Sequence, residues 1–165
     1  MPWLQSDELR IGLGCMRLDP NDDATLAAAA DAGITVFDTA RSYDGSEELL
    51  ARALHGLPNA RVVTKGGMAR PEGAWIPDGR AKAIRADCEA SLSALGGLPI
   101  DLYLLHAPDP RTPWRTSVRA LARLVDDGLV ARVGVCNVNR VQLDEALEHT
   151  LFPYTTLFRS RKSVV

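Results

Sequence analysis

Five times along its length the chain sets a short run of strand-forming residues directly before a stretch with helical periodicity, and no other feature narrows the fold as much. The strand runs are IGLGCM (11–16), ITVFD (34–38), RVVTK (61–65), DLYLLH (101–106) and ARVGVCN (131–137). The stretches that follow them are DATLAAAADA, DGSEELLARAL, residues 80–95, residues 116–127 and NRVQLDEALEH. No hairpin signal separates strand from helix, so the order calls for parallel strands joined by right-handed crossovers. Units of about 25 to 35 residues suit such a βα repeat.

The helix boundaries carry their own signals. Asn21 or Asp22 can cap the first helix, and Gly33 stops it. Asp44 and Glu47 have capping-box spacing, which starts the second helix directly behind Tyr43. In the third, Ile84, Cys88, Leu92 and Leu95 share one face, and Gly96-Gly97 end it. In the fourth, Val118, Leu121, Ala122 and Val125 are expected inward. Asn139 caps the fifth.

Composition removes several function classes. A net charge of -2 offers no basic excess to neutralise phosphates, which argues against nucleic-acid binding. No apolar run approaches the roughly 20 residues of a membrane span, and the N-terminus lacks a signal peptide's apolar segment. Cys15, Cys88 and Cys136 are odd in number and form no CxxC pair, so reduced thiols in a cytoplasmic protein are expected. GLGCMR has Arg17 where a dinucleotide fingerprint needs its third glycine, and that motif is rejected.

Three successive strands end on an ionisable group: Asp38, Lys65 and His106, with Tyr43 five residues beyond the first. Delivery from consecutive strands favours a (β/α) barrel, where such ends line one rim, over an open sheet with a single switch point. Each residue alone has a bland reading, as a turn cap, a solvated lysine or a rim histidine. Together they form a chemical set. A free tyrosine titrates near about 10. An adjacent ammonium favours the phenolate and lowers that value, an aspartate keeps the ammonium charged and aimed, and a histidine can orient a carbonyl oxygen. The set can protonate an oxygen as hydride reaches its carbon, with a cofactor as the hydride source. Trp75, in the long loop GGMARPEGAWIPDG (66–79), is either a wall of the substrate pocket or a cover over local apolar surface.

The elements FDTARSY, GSEELLARAL, VVTKGG, DLYLLHAPD and VGVCNVN, in this order, resemble the aldo-keto reductases over about residues 9–149. The resemblance implies a TIM-type (β/α)₈ barrel, here about the first five βα units, and reduction of an aldehyde or ketone with NADPH, NADH being the other candidate. It implies Tyr43 as general acid, Asp38 and Lys65 as the groups that tune it, and His106 as the group that orients the substrate carbonyl. Asn137 would hold the nicotinamide carboxamide. Cys136 stands where the family usually has serine, which weakens one polar contact.

A complete barrel of this kind needs about 250 residues. The sixth-strand glutamine, the seventh-strand aromatic and the phosphate-gripping loops implied by the resemblance fall beyond the five units. The tail LFPYTTLFRSRKSVV does not continue the pattern and resembles translated sequencing-adapter sequence. Residues 1–149 are therefore expected to be the N-terminal part of the barrel and 150–165 a non-native tail; the same tail encoded in genomic DNA of an independent isolate overturns this. Five strands without closure leave two unpaired edges, so the chain as written is expected to self-associate, aggregate or stay partly unfolded. A sharp, concentration-independent melt of a monomer overturns that. Two functional classes follow: a carbonyl reductase, or a non-catalytic regulatory or binding subunit of the same fold, as in barrel-shaped potassium-channel beta subunits. A metal hydrolase is disfavoured, because among His55, His106 and His149 only His106 ends a strand.

Overall fold

The computed structural model describes residues 7–149; the expected non-native tail lies outside them. Five strands form one parallel sheet: β1 (Gly12–Gly14), β2 (Val36–Asp38), β3 (Arg61–Gly66), β6 (Ile100–Leu105) and β7 (Val133–Val135), in the spatial order β1-β2-β3-β6-β7. Helices α1 (Asp23–Asp31), α2 (Ser46–Ala53), α3 (Ala81–Ala94), α4 (Trp114–Asp126) and α5 (Arg140–His149) complete five βα units. This is the α/β arrangement of part of a (β/α)₈ barrel, with β1 and β7 as its edges.

The pleat sorts the strand residues into two layers. Phe37, Val62, Ile100, Tyr103 and Leu105 join the larger core beneath the helices. Val36, Val63, Leu102 and Leu104 form a small separate cluster on the other face. Because side chains alternate along a strand, Asp38, Lys65 and His106 continue that second face, each two residues beyond one of its members. The inner apolar layer thus ends in the ionisable groups.

The loop 66–79 differs from expectation. It contains a two-stranded antiparallel hairpin, β4 (Met68–Ala69) with β5 (Ile76–Pro77), closed by a short helical turn at Pro71–Gly73. Glu72 at φ 50° and Gly73 at φ 82° make the reversal, a left-handed pair hidden in a stretch that reads as an irregular Gly/Pro loop.

Two helix details also change. α2 begins after Gly45, which sits at φ 70°, and Asp44 makes no cap bond. Glu47 turns inward instead and is 1% exposed. In α4 the buried stripe is Ser117, Val118, Ala120, Leu121 and Leu124, while Val125 faces solvent. The helix begins earlier than the apolar pattern suggests, and its inward face is one position out of step with it. At α1 Asp22 is the N-cap residue but makes no cap bond. The cap on α5 is as expected: Asn139 Oδ1 accepts from Gln142 N at 2.9 Å and Gln142 Oε1 accepts from Asn139 N at 3.1 Å. No helix among the described residues is long and apolar enough to cross a membrane.

Candidate active site

Asp38 lies level with Val63 in the β2–β3 register, and Lys65 stands two residues further along β3. The lysine side chain reaches back across that step. Its Nζ pairs with Asp38 Oδ1 and donates to the Thr39 carbonyl at 2.8 Å. At 4% exposure the ammonium is removed from water, so both contacts are needed to hold it there. Burial raises the Asp38 carboxyl above its ordinary value, and Lys65 opposes that rise.

The segment Thr39–Tyr43 is stitched to β3 by backbone bonds from Thr39 N to Val63 O (2.8 Å) and from Arg41 N to Lys65 O (2.9 Å). Tyr43 N bonds to Ala40 O at 2.9 Å, and Ser46 N closes the turn on Tyr43 O at 3.2 Å. Side chains lock it from behind. Thr39 and Ser46 hydroxyls meet at 2.7 Å, and Glu47 accepts from Thr64 Oγ1 at 2.6 Å and from Arg41 Nη1 at 2.9 Å. Ser42 and Glu47 are the site-supporting residues that patterning missed. By sequence Glu47 is the capping-box partner of Asp44, and nothing in that spacing shows that it turns inward to brace the loop.

Tyr43, His106 and Trp75 then meet as a trio of edge-on rings. Their centroids are 5.7 Å apart for Tyr43–His106, 6.2 Å for Tyr43–Trp75 and 5.6 Å for Trp75–His106. Trp75 therefore stands beside the ionisable set rather than over a remote apolar patch, and it remains 44% exposed. The Arg70 guanidinium stacks on its ring, 4.4 Å from the centroid. Lys65 Nζ is 5.3 Å from the Tyr43 ring centre.

The electrostatics correct one expectation. The Tyr43 phenol is pushed up to about 12, not lowered; burial is the main cause and the Asp38 carboxylate adds to it. Lys65 directs its charge to Asp38 and the Thr39 carbonyl, and no hydrogen bond to the Tyr43 hydroxyl is made among the described residues. His106 moves the other way, down to about 4, through burial and then the Lys65 charge. It is a neutral imidazole at neutral pH, and its Nδ1 lies 3.2 Å from Ser42 Oγ.

Beyond β7, Asn137 adopts φ 57°, a conformation asparagine tolerates better than most residues. Its Nδ2 donates to His106 O at 2.8 Å and lies 3.4 Å from Cys136 Sγ. Cys136 is buried beside it, and burial raises its thiol. The structure thus brings all seven sequence-derived candidates (Asp38, Tyr43, Lys65, Trp75, His106, Cys136 and Asn137) to one end of the sheet. Asp109 adds a brace: it accepts from Gly79 N at 3.1 Å, from Arg111 N at 2.9 Å and from Thr112 Oγ1 at 3.0 Å. Burial works against this carboxylate, yet these bonds hold it well below the usual range. An apolar crevice of about 520 Å³ at the opposite end, lined by Leu98, Pro99, Ile100, Leu129 and Val130 among others, contains no titratable side chain and lies away from this chemistry.

The sequence pattern of the aldo/keto reductase family matches residues 10–157. An uncharacterized oxidoreductase of Schizosaccharomyces pombe is 33% identical over 162 aligned residues, covering 90% of this chain and 52% of that protein. Among solved structures, the glycerol dehydrogenase of Gluconobacter oxydans superposes with a TM-score of 0.77 at 34% identity, covering 90% of this chain and 51% of the other. An aldo-keto reductase of Bacillus halodurans gives 0.76 at 25% identity, covering 86% and 50%. The chain spans about half the length of these relatives. With its parallel sheet, its convergent strand-end residues and these matches, the chain belongs to the aldo/keto reductase family.

Proposed function

We propose that this chain carries the acid–base half of a site that reduces an aldehyde or ketone to an alcohol with a nicotinamide cofactor, NADPH in preference to NADH. The reading is carried by one observation: Tyr43, paired by ring contact with His106, stands over the buried Asp38–Lys65 ion pair at adjacent strand ends. When bound, the cofactor supplies hydride to the carbonyl carbon. His106 holds the carbonyl oxygen, and the Tyr43 hydroxyl gives that oxygen its proton. A phenol pushed up to about 12 keeps its proton throughout the neutral range, so the acid is loaded before hydride arrives. A value so far above neutral makes it a weak acid, and the transfer is driven by the negative charge that develops on the carbonyl oxygen. Once the proton has left, the cation that favours the phenolate is Arg70, which works against burial and the Asp38 charge.

The residues at the nicotinamide end fit an amide-bearing ring. Asn137 has its Nδ2 engaged with the His106 carbonyl, so its Oδ1 remains as an acceptor for a carboxamide N–H. Cys136 adds only a weak sulfur acceptor there. The three cysteines are free, buried thiols, in keeping with the reducing cytoplasm as the working compartment. The second class expected from the sequence, a non-catalytic binding or regulatory unit of the same fold, would bind the cofactor without turnover.

The test follows NADPH oxidation by the purified protein with a series of aldehydes, alongside cofactor binding. Tyr43→Phe is expected to lower reduction by about 10²- to 10⁴-fold and to leave cofactor binding unchanged. Cofactor binding without turnover in the unsubstituted protein would instead select the binding-unit reading.

A further inference from the structure

Ser42 is absent from the chemical set described above, yet its hydroxyl meets His106 Nδ1 at 3.2 Å across 64 positions of sequence. Both residues are buried, at 6% and 8% exposure. The backbone around Ser42 is fixed by Arg41 N on Lys65 O and Tyr43 N on Ala40 O, so the hydroxyl is presented from a loop with little freedom to withdraw. On the other side, His106 N bonds to Gly66 O at 2.9 Å, and the His106 carbonyl receives Asn137 Nδ2. The two partners are thus held at contact from adjacent β3 carbonyls, those of Lys65 and Gly66.

We propose that Ser42 is a positioning residue whose hydroxyl donates to Nδ1 of His106 and thereby holds the imidazole as its Nε2–H tautomer. The direction follows from where the one unshared proton is left. A neutral imidazole carries one N–H, and each ring nitrogen is either donor or acceptor. If Nδ1 carried the proton and donated to Ser42 Oγ, the serine hydrogen would need another acceptor, and Ser42 Oγ has no second partner among the described residues. A buried hydroxyl proton would be left unmet, which folded proteins avoid. With the serine donating, the unshared proton is the Nε2–H, and Nε2, which makes no hydrogen bond among the described residues yet is not a fully buried atom, opens on accessible space as the ring's free donor. His106 stays neutral down to about pH 4, so this choice of tautomer holds across the working range. Use of that N–H to hold a carbonyl oxygen rests on the reading above; the tautomer itself does not.

The geometry explains a division of labour. Tyr43 must lose a proton and His106 must not, and Ser42 immediately before the tyrosine fixes the histidine in the donor form. An Nδ1–H imidazole would turn a lone pair toward the substrate oxygen and repel it.

The test is long-range proton–nitrogen NMR of the full chain labelled with ¹⁵N-histidine, near neutral pH. His106 is identified against His55 and His149 by the signals lost in His106→Gln. The expected pattern is a pyrrole-like Nε2 and a pyridine-like Nδ1, the latter displaced from its unbonded position by the serine hydrogen bond. Ser42→Ala is expected to abolish that displacement and to admit both tautomers, and Ser42→Thr to restore it. A pyrrole-like Nδ1 in the unsubstituted chain overturns the proposal, as do ring nitrogens unchanged in Ser42→Ala. If Ser42→Ala does not fold, the unsubstituted spectrum and Ser42→Thr decide between the same outcomes. Should the tautomer be as proposed while Tyr43→Phe leaves reduction intact, the carbonyl reading falls and the assignment of Ser42 stands.

Discussion

The two walls of the site are built in opposite ways. On one side, Thr39–Tyr43 is bonded to β3 through its backbone and to α2 through Ser46 and Glu47. On the other, the β4–β5 hairpin is fixed only at its base. There Gly67 N meets Asp87 Oδ2 at 2.8 Å, Asp78 N meets Gly67 O at 2.9 Å, and Gly79 N meets Asp109. Its tip carries Trp75 and Arg70, stacked on each other and largely in solvent, with Trp75 reaching the site through ring contacts to Tyr43 and His106. Groups whose charges must be set to within a few ångströms sit on the rigid wall. On the proposed reading, the face that would meet variable parts of a substrate sits on the adjustable one, as expected when function is divided between scaffold and loop.

The comparison breaks most visibly at Lys65. Lys65→Met removes the only cation paired with Asp38 among the described residues and leaves a buried carboxylate without its partner. A loss of about 3–5 kcal/mol is expected, read from the shift of a urea midpoint. Lys65→Met combined with Asp38→Leu should recover much of that loss, because the uncompensated charge is gone. Equal damage in single and double variants would mean that packing, not charge, holds this wall.

Acid should loosen the same wall next. His106 sits near about 4 when folded against an ordinary 6.5, so between those values the unfolded chain binds the extra proton and stability falls as pH falls. The contribution is complete above 6.5 and is lost by about pH 4, amounting to about 3 kcal/mol at most, since the unfolded chain and solvent entry moderate it. Urea midpoints measured across this range should slope accordingly, and His106→Gln should flatten the slope. A slope unchanged in that variant would assign the effect to the carboxylates.

Glu47 tests whether the loop is locked from behind. Glu47→Gln keeps the shape but removes the charge that draws Arg41, and is expected to cost about 1–3 kcal/mol, with Thr64 still able to donate to the amide oxygen. Thermal unfolding compared with Arg41→Met would separate the ion pair from the buried acceptor. A neutral result would make the backbone stitches sufficient on their own.

How much of this was legible follows the same divide. The five strands and helices were readable because propensity and periodicity agree with burial; in α4 the stripe slipped because Ala120 and Leu124, not Ala122 and Val125, meet the sheet. Asp38, Lys65 and His106 were readable because each ends its strand on the same pleat face as Val36, Val63 and Leu104. Their charge balance was not. Sequence order puts a lysine near a tyrosine, but only three dimensions show that the ammonium is turned to Asp38 and Thr39, leaving burial to govern the phenol. Ser42 and Glu47 escaped for a related reason, since their partners lie 64 and 17 positions away and no local pattern points across that distance. The hairpin was hidden because its turn depends on a left-handed Glu72, a conformation its residue type does not advertise.

The smallest expected effect belongs to the adjustable wall, and it is the one that sharpens the contrast. Trp75→Ala removes a ring that is 44% exposed and packed on Arg70, Tyr43 and His106. An exposed cation–π pair contributes about 0.5–1 kcal/mol, so stability should fall by no more than about 1 kcal/mol and the Lys65–Asp38 pair should be undisturbed. The change should appear in binding. With one side of the ring trio open, aromatic aldehydes are expected to lose more affinity than short aliphatic ones, visible as a rise in KM with kcat nearly kept. If Trp75→Ala instead lowered kcat as strongly as Tyr43→Phe, the tryptophan would be setting the geometry of Tyr43 and His106 themselves, and the two walls would have to be treated as one.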